Sequence, residues 1–295
     1  MSVNEKQGIV SFIPQFVKFA VKKHLGSASY RLGLYPHFAA GKAIVVVFHS
    51  ICDHADQSPI ATSPPKFEQF CRFFKNNFNV ISMGELVLKL ERGLDVTGDL
   101  VITFDDGYKD NLTNAVPILK KHDLPALFYV VTDYVCTDTQ TWWDQKAGVE
   151  TRWLDWDEVR EMHRMGFEIG AHTKTHANLG EIHTDTCRDE VLESFDRLEK
   201  ELGKRPRFFS YPYGGKEHLS LSNQRVLQEI KIPYVAGAFG GFVSNGTDPA
   251  FICRLPIGHW FRTPEQFGFE LLMLAKREPS TAEHVRISSH PPAPL

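Results

Sequence analysis

Two short runs carry the residues with most chemistry to offer. Asp105 and Asp106 stand side by side between the apolar run Leu100–Phe104 and Gly107. His172 and His176 stand four apart, directly after Glu168–Ala171. Adjacent carboxylates repel, and a buried one stays ionised only at high cost unless a cation is near. Neighbouring side chains of an extended chain point to opposite sides. The pair is therefore read as two tools, one carboxylate for a metal ion and one for a reacting water. The competing reading is that one of them merely caps the following helix. Two histidines four apart share one side of a helical turn. With one carboxylate they make a three-ligand set of the kind zinc uses when a fourth position stays open to water. His49 ends a third apolar run and either lines the same mouth or plays no part. His122, His163 and His183 sit in helical or loop patterns and are read as ordinary residues. The turn Ser210-Tyr211-Pro212-Tyr213-Gly214-Gly215 is rigid at Pro212 and permissive at Gly214. It can aim a backbone N–H at a developing oxyanion, or be only a turn.

These residues are far apart in sequence, so the elements between them must gather them. β-rich runs are expected at Ile44–Phe48, Leu100–Phe104, Ala126–Val131, Phe167–Ala171, Arg207–Tyr211, Tyr234–Ala238 and Phe251–Leu255. Helical patterns are expected at Lys66–Phe78, Asn111–His122, Trp156–Met165, Asp185–Leu202, Leu219–Ile230 and Pro264–Lys276. Strands alternating with helices imply crossover units and a mainly parallel sheet, and runs such as Ile44–Phe48 are apolar enough to be covered on both faces. About seven such units imply an α/β fold built as a closed or nearly closed (β/α) barrel; the open doubly wound sheet is the alternative. In either, the polar residues after each strand share one face, where active sites are built. Val135–Arg152 has no clear element and reads as a functional loop holding Trp142, Trp143 and Asp144.

Composition narrows the function classes. A chain of 295 residues with 42% hydrophobic and 23% charged residues is globular and can bury a sizeable core. A net charge of −3 leaves no footprint for nucleic acid. The five cysteines are scattered singly, which argues against a cysteine zinc ribbon and suits a reducing compartment. Ile9–Leu25 is interrupted by Pro14, Gln15, Lys18, Lys22 and Lys23, and its basic residues follow its apolar ones, so it reads as an amphipathic helix rather than a signal peptide. It either packs on the main domain or lies on an acidic membrane surface. Residues 1–41 are thus an N-terminal extension, 42–280 the main domain and 281–295 a loose tail. The compartment expected is the cytoplasm or the cytoplasmic membrane face, with the periplasm or cell envelope as the alternative.

With these residues assembled, the chain resembles the polysaccharide deacetylase family, the carbohydrate esterases with a NodB-type domain. Thr103-Phe104-Asp105-Asp106-Gly107 is similar to the family's first motif, His172-Thr173-Lys174-Thr175-His176 to its second and Tyr211-Pro212-Tyr213-Gly214 to its third. Phe48-His49-Ser50-Ile51 and Gly166–Gly170 agree with smaller family segments. The resemblance implies a distorted (β/α) barrel of NodB type and a divalent metal, zinc above all, held by Asp106, His172 and His176. It implies Asp105 as catalytic base, the Tyr213 N–H as oxyanion donor and Thr173 as a support of the histidine loop. The implied reaction is removal of N-acetyl groups from an amino-sugar polysaccharide or oligosaccharide. Alternatives are a small or lipid-linked N-acyl substrate, or a non-catalytic carbohydrate binder. Ser210 stands where many members carry an arginine before the third motif, a variant similar to the branch that deacetylates poly-N-acetylglucosamine. Arg254 is the candidate replacement and is also placed near the substrate. His259 is the best-placed general acid, ahead of His290, with His49 able to serve from the other side. His49, Tyr211 and Trp143 are the further substrate-contact candidates.

Overall fold

The computed structural model describes residues 15–33, 35 and 39–277 of the chain. The fold is α/β, a nearly closed barrel-like sheet wrapped by helices. Strands β1 (Lys42–Phe48), β3 (Asp99–Phe104), β4 (Leu127–Val130), β5 (Glu168–Ala171), β6 (Phe208–Ser210) and β7 (Tyr234–Ala236) form its body, all parallel. The short strands β9 (Phe251–Ile252) and β10 (Leu255–Pro256) pair with β7 and β1, at opposite ends of the strand order. Only Cys253 and Arg254 separate them, so the barrel closes through a covalent link rather than a hydrogen-bond ladder. The single strand expected over Phe251–Leu255 is thus two strands with a break at Arg254. Strand β2 (Asn79–Val80) adds to β3, and β8 (Val243–Ser244) pairs antiparallel with β1, making the sheet mixed.

The continuous apolarity of the strands has the expected cause, burial on both faces. Ile44, Val46, Phe48, Ile102, Phe104 and Phe128 join the layer between sheet and helices. Val45, Val101, Leu127, Tyr129 and Phe208 join a second cluster that fills the barrel. The helix Pro64–Asn77 lays Phe67, Phe70, Cys71 and Phe74 on the sheet, following its spacing of three and four. The helix Met83–Glu91 was not foreseen. Its Met83, Leu86, Val87 and Leu90 belong to the barrel-filling cluster. Glu168, at the start of β5, accepts the Met83 and Gly84 N–H groups at 2.9 Å, which seats this helix at the strands' amino ends. That end is stoppered, and the carboxyl ends stay free for the site.

Other differences have local causes. The helix expected over Asn111–His122 opens with a wider π turn, Asn111–Ala115, before its α-helical part Val116–His122. The stretch Val135–Arg152 contains a short helix, Trp142–Ala147, anchored by buried Asp144, which accepts hydroxyls of Tyr108, Thr141 and Thr151. The first helix runs Gln15–Arg31 and packs on the helix Pro264–Arg277. Gly26 meets the Glu265 carbonyl there, and Lys22 pairs with Glu270. Residues 1–14 and 281–295 of the expected extension and tail, His290 included, lie outside the described residues. Among the described residues, no helix is long and apolar enough to cross a membrane.

The aromatic layer gives a stability prediction. Phe128 stacks on Phe104 with centroids 4.6 Å apart and meets Phe167 edge-on at 5.5 Å. Phe128→Ala should lower the unfolding free energy by about 3–5 kcal/mol in a urea titration. A loss below about 1 kcal/mol would mean that this layer repacks freely.

Candidate metal centre and active site

Asp105 and Asp106 leave the carboxyl end of β3 in different directions because the backbone turns between them. Asp106 has φ 75°, in the left-handed region, and Gly107 follows with φ 87°. Asp105 continues the side of β3 that faces the barrel, with Val101 and Thr103. The turn swings Asp106 across the mouth toward the histidines.

The histidine run does not form the helical turn expected. Thr173 has φ 62° and His176 φ 65°, so the chain folds back twice within five residues. The result still brings both rings to one point. His172 Nε2 and His176 Nε2 each lie 3.3 Å from Asp106 Oδ1. The ligand atoms of Asp106, His172 and His176 all lie within 4.8 Å of one another, and all three residues are buried. The Thr173 hydroxyl is buried without a partner, so it does not hold this loop. Glu190 holds it instead, accepting the Lys174 N–H at 3.1 Å, the Thr175 N–H at 2.8 Å and the Thr175 hydroxyl at 2.7 Å. Nothing in its neighbourhood of the sequence marked Glu190, which lies on the next helix.

The donor set fits a divalent cation. Asp106 Oδ1 is buried and makes no well-angled hydrogen bond despite its two imidazole neighbours. His172 Nδ1 lies 2.7 Å from the Ser210 carbonyl, which orients the ring and leaves Nε2 free to ligate. Burial lowers the His176 pKa and favours the neutral ring a ligand needs. Burial also works against charge on His172, but Asp105 and Asp106 outweigh it and raise its pKa. A cation satisfies the same two carboxylates in place of that proton.

Asp105 is held from the opposite side. Arg254 is fully buried at the barrel's seam. Its Nη1 and Nη2 donate to Asp105 Oδ1 and Oδ2, both at 2.7 Å. Its remaining N–H groups go to Thr103 Oγ1 at 3.1 Å, Ser210 Oγ at 2.6 Å and the Gly237 carbonyl at 3.1 Å. The Tyr129 ring lies 5.1 Å from the guanidinium. Burial would raise the Asp105 pKa, but Arg254 and then His172 outweigh it and hold the carboxyl below its usual range. Arg254 therefore occupies the place expected of a carboxylate-orienting arginine. The accompanying expectation that it contacts substrate is corrected, because no part of it reaches solvent.

The other candidates separate by exposure. Tyr211 is 1% exposed and donates to the Gly214 carbonyl at 3.0 Å, so it braces the turn and cannot stack on a sugar. Tyr213 is 43% exposed with φ 62°, and its ring lies 4.9 Å from that of His176. Its N–H has no acceptor among the described residues. Trp143 is half-buried, donates to the Tyr108 hydroxyl at 2.9 Å and lies 5.1 Å from the His176 ring. Trp142 beside it is 61% exposed. His49 follows β1 just beyond the last paired rung, Phe48 with Phe104, as Asp105 follows β3, and it acts electrostatically on both aspartates. Its Nδ1 is buried without a partner. His259 is an exposed rim residue whose Nδ1 lies 3.1 Å from the Pro59 carbonyl, and among the described residues it touches no member of the metal cluster.

Residues 96–231 match the family model described as polysaccharide deacetylase. YxkH of Bacillus subtilis (strain 168) is 24% identical over 175 residues, covering 59% of this chain and 57% of that protein. A chitooligosaccharide deacetylase of Bradyrhizobium sp. (strain ANU 289) is 28% identical over 124 residues, 41% of this chain and 49% of that one. The chain thus spans about half the length of these curated relatives. The solved structure of the Streptococcus pyogenes deacetylase PplD in complex with acetate has a TM-score of 0.64 at 22% identity, covering 81% of this chain and 99% of that one, a likeness of fold.

Two substitutions test the centre. Asp106→Ala should reduce the divalent metal that the protein retains after dialysis to background, read by metal analysis. Arg254→Met should cost about 3–5 kcal/mol at neutral pH, because it leaves Asp105 buried and uncompensated. The depressed Asp105 pKa stabilises the fold above the unfolded-state value of about 3.9, and that contribution is lost as pH falls through the folded value. In Arg254→Met burial acts on Asp105 without the arginine to oppose it and raises its pKa, so the variant's deficit shrinks as the carboxyl takes up a proton, and the gap should narrow on acidification before the wild-type contribution is itself lost. A gap that stays constant from about pH 8 to 4 would mean the pair is not the source.

Proposed function

The chain belongs to the polysaccharide deacetylase family, and we propose that it is a metal-dependent hydrolase removing N-acetyl groups from an amino-sugar polysaccharide or oligosaccharide. The observation that carries this reading is the buried Asp106–His172–His176 cluster beside a second carboxylate, Asp105, pinned by Arg254. A pure binding module has no need of that second carboxylate.

Asp106, His172 and His176 would hold a divalent ion, zinc by the donor set, which would supply a water of lowered pKa and polarisation of the acyl carbonyl. Asp105 accepts the proton of the attacking water. Its two bonds to Arg254 fix which lone pairs face the mouth, and the guanidinium keeps it ionised and so competent as a base. The free N–H of Tyr213 donates to the oxyanion that develops as the carbonyl becomes tetrahedral. His49 then gives a proton to the departing amine. We assign this role to His49 rather than His259, because His49 follows β1 as Asp105 follows β3, whereas His259 is bound at the rim. Trp143 and the exposed Trp142 and Tyr213 are the aromatic faces available to a sugar ring.

The test is acetate release from N-acetylglucosamine oligomers and polymer by the zinc-loaded and the chelated protein. Release should require metal. Asp105→Asn should abolish it with zinc retained, His49→Ala should lower kcat by about a hundredfold, and His259→Ala should change it by less than about threefold. If His259→Ala abolishes release and His49→Ala does not, the acid is assigned to the wrong histidine. If the zinc-loaded protein releases nothing from any glucosamine substrate, the substrate is a small or lipid-linked N-acyl compound instead.

A further inference from the structure

We propose that Asp110, Asn111 and Asn114 are positioning residues that clamp the loop His49–Ile51 and thereby fix the His49 ring against Asp105. The inference rests on the assignment of His49 as proton donor and adds what holds it there. His49 Nδ1 is buried without a partner among the described residues, so no bond from that nitrogen fixes the ring. Strand β1 ends at Phe48, whose carbonyl accepts the Asp105 N–H at 3.0 Å as the last rung of the ladder. Beyond that rung the loop is gripped residue by residue from the turn that follows Gly107. Asn111 Nδ2 donates to the His49 carbonyl at 2.7 Å. The Ser50 hydroxyl and the Ile51 N–H donate to the two oxygens of Asp110, at 2.5 and 2.9 Å. Asn114 Nδ2 donates to the Ile51 carbonyl at 2.7 Å. Asn111 Nδ2 also donates to Asp110 Oδ1 at 3.1 Å, tying the clamp together.

The clamp lies where the expected α-helix opens instead as the π turn Asn111–Ala115. Such wider turns recur at functional sites, where they place side chains that an α-helix would turn away. What the clamp uses of Asp110 is its two acceptor oxygens. Desolvation pushes its carboxyl up to about 6 even though Ser50, Ile51 and Asn111 all donate to it. A neutral amide keeps the acceptor for Ile51, and the Ser50 hydroxyl can reverse its role to accept. The conservative variant Asp110→Asn should therefore preserve what Asp110→Ala destroys.

The experiment uses the full zinc-loaded chain and N-acetylglucosamine oligomers. Asp110→Ala and Asn111→Ala should each lower kcat by about tenfold or more, with KM within about twofold and zinc content unchanged. Asp110→Asn should stay within about threefold of wild type. In a His49→Ala background, adding either alanine should change kcat by less than about twofold, because a group that acts through His49 has nothing left to position. Losses that multiply in the double variants, or that fall on KM, overturn the proposal. If Asn111→Ala does not fold, Asn114→Ala, at a half-buried site, reports the same coupling through Ile51. If wild type releases no acetate, the functional reading fails by itself. The clamp is then judged by 15N spectra of the histidine rings, with the His49 signal identified by its loss in His49→Ala. That signal should move or broaden in Asp110→Ala and Asn111→Ala and stay in place in Asp110→Asn. An unmoved signal in all three overturns the clamp.

Discussion

Arg254 and Asp105 meet as a fully buried, two-pronged ion pair, and the arrangement of the site depends on it. A carboxylate at the bottom of an apolar barrel would otherwise take up a proton and lose its use as a base. A buried guanidinium would be worse placed still, since it cannot shed its charge. Here each removes the other's cost, and the geometry is saturated: the donors of Arg254 are divided among Asp105, Thr103, Ser210 and Gly237. Ser210 belongs to both halves of the site. Its hydroxyl accepts from Arg254, and its carbonyl orients His172. Asp105 and the candidate metal ligands are thus set relative to each other through one residue.

The position of Arg254 follows from how the barrel fails to close. A continuous ladder between β9 and β10 would leave no room at the seam for a side chain of this size. Because two residues bridge the gap covalently, the Arg254 side chain enters the barrel from the seam and crosses to β3 under the Tyr129 ring. The topological irregularity and the chemistry are one feature. The same holds for the strained residues at the mouth. Asp106, Thr173, His176 and Tyr213 all carry positive φ without being glycine. Such conformations cost energy and persist where surrounding structure enforces them. Glu190 beneath the histidine loop and Tyr211 beneath the aromatic turn are two of the enforcing contacts.

Electrostatics divides labour between two adjacent acids that composition alone would treat as equals. Asp105 has an arginine, which holds it in its ionised form. Asp106 has two imidazoles at equal distance and no well-angled hydrogen bond, the environment of a ligand waiting on a cation. The left-handed backbone of Asp106 itself creates that difference by sending two neighbouring side chains into different surroundings.

Much of this was legible in the sequence. Apolar runs covered on both faces identified six of the sheet's strands within a residue or two, and the polar residues after them pointed to one functional mouth. The Asp-Asp pair and the spaced histidines identified the metal cluster by type and order. What one-dimensional pattern could not reach were contacts made by residues with no local signature. Glu190 is one acid among many on an amphipathic helix. The helix Met83–Glu91 stoppers the barrel with a periodicity too short to stand out. Tyr211 and Tyr213 are two residues apart, yet one is sealed beneath the turn and the other projects from it, because Gly214 packs so closely on Ala238 that the turn has one way to lie. The sequence by itself determined which groups are available: two carboxylates, two imidazoles and the parallel strands that bring their ends together. Only the tertiary structure decided which of them share a field, because burial and pairing belong to the space between elements. There Arg254, 149 residues from Asp105 along the chain, becomes its nearest cation.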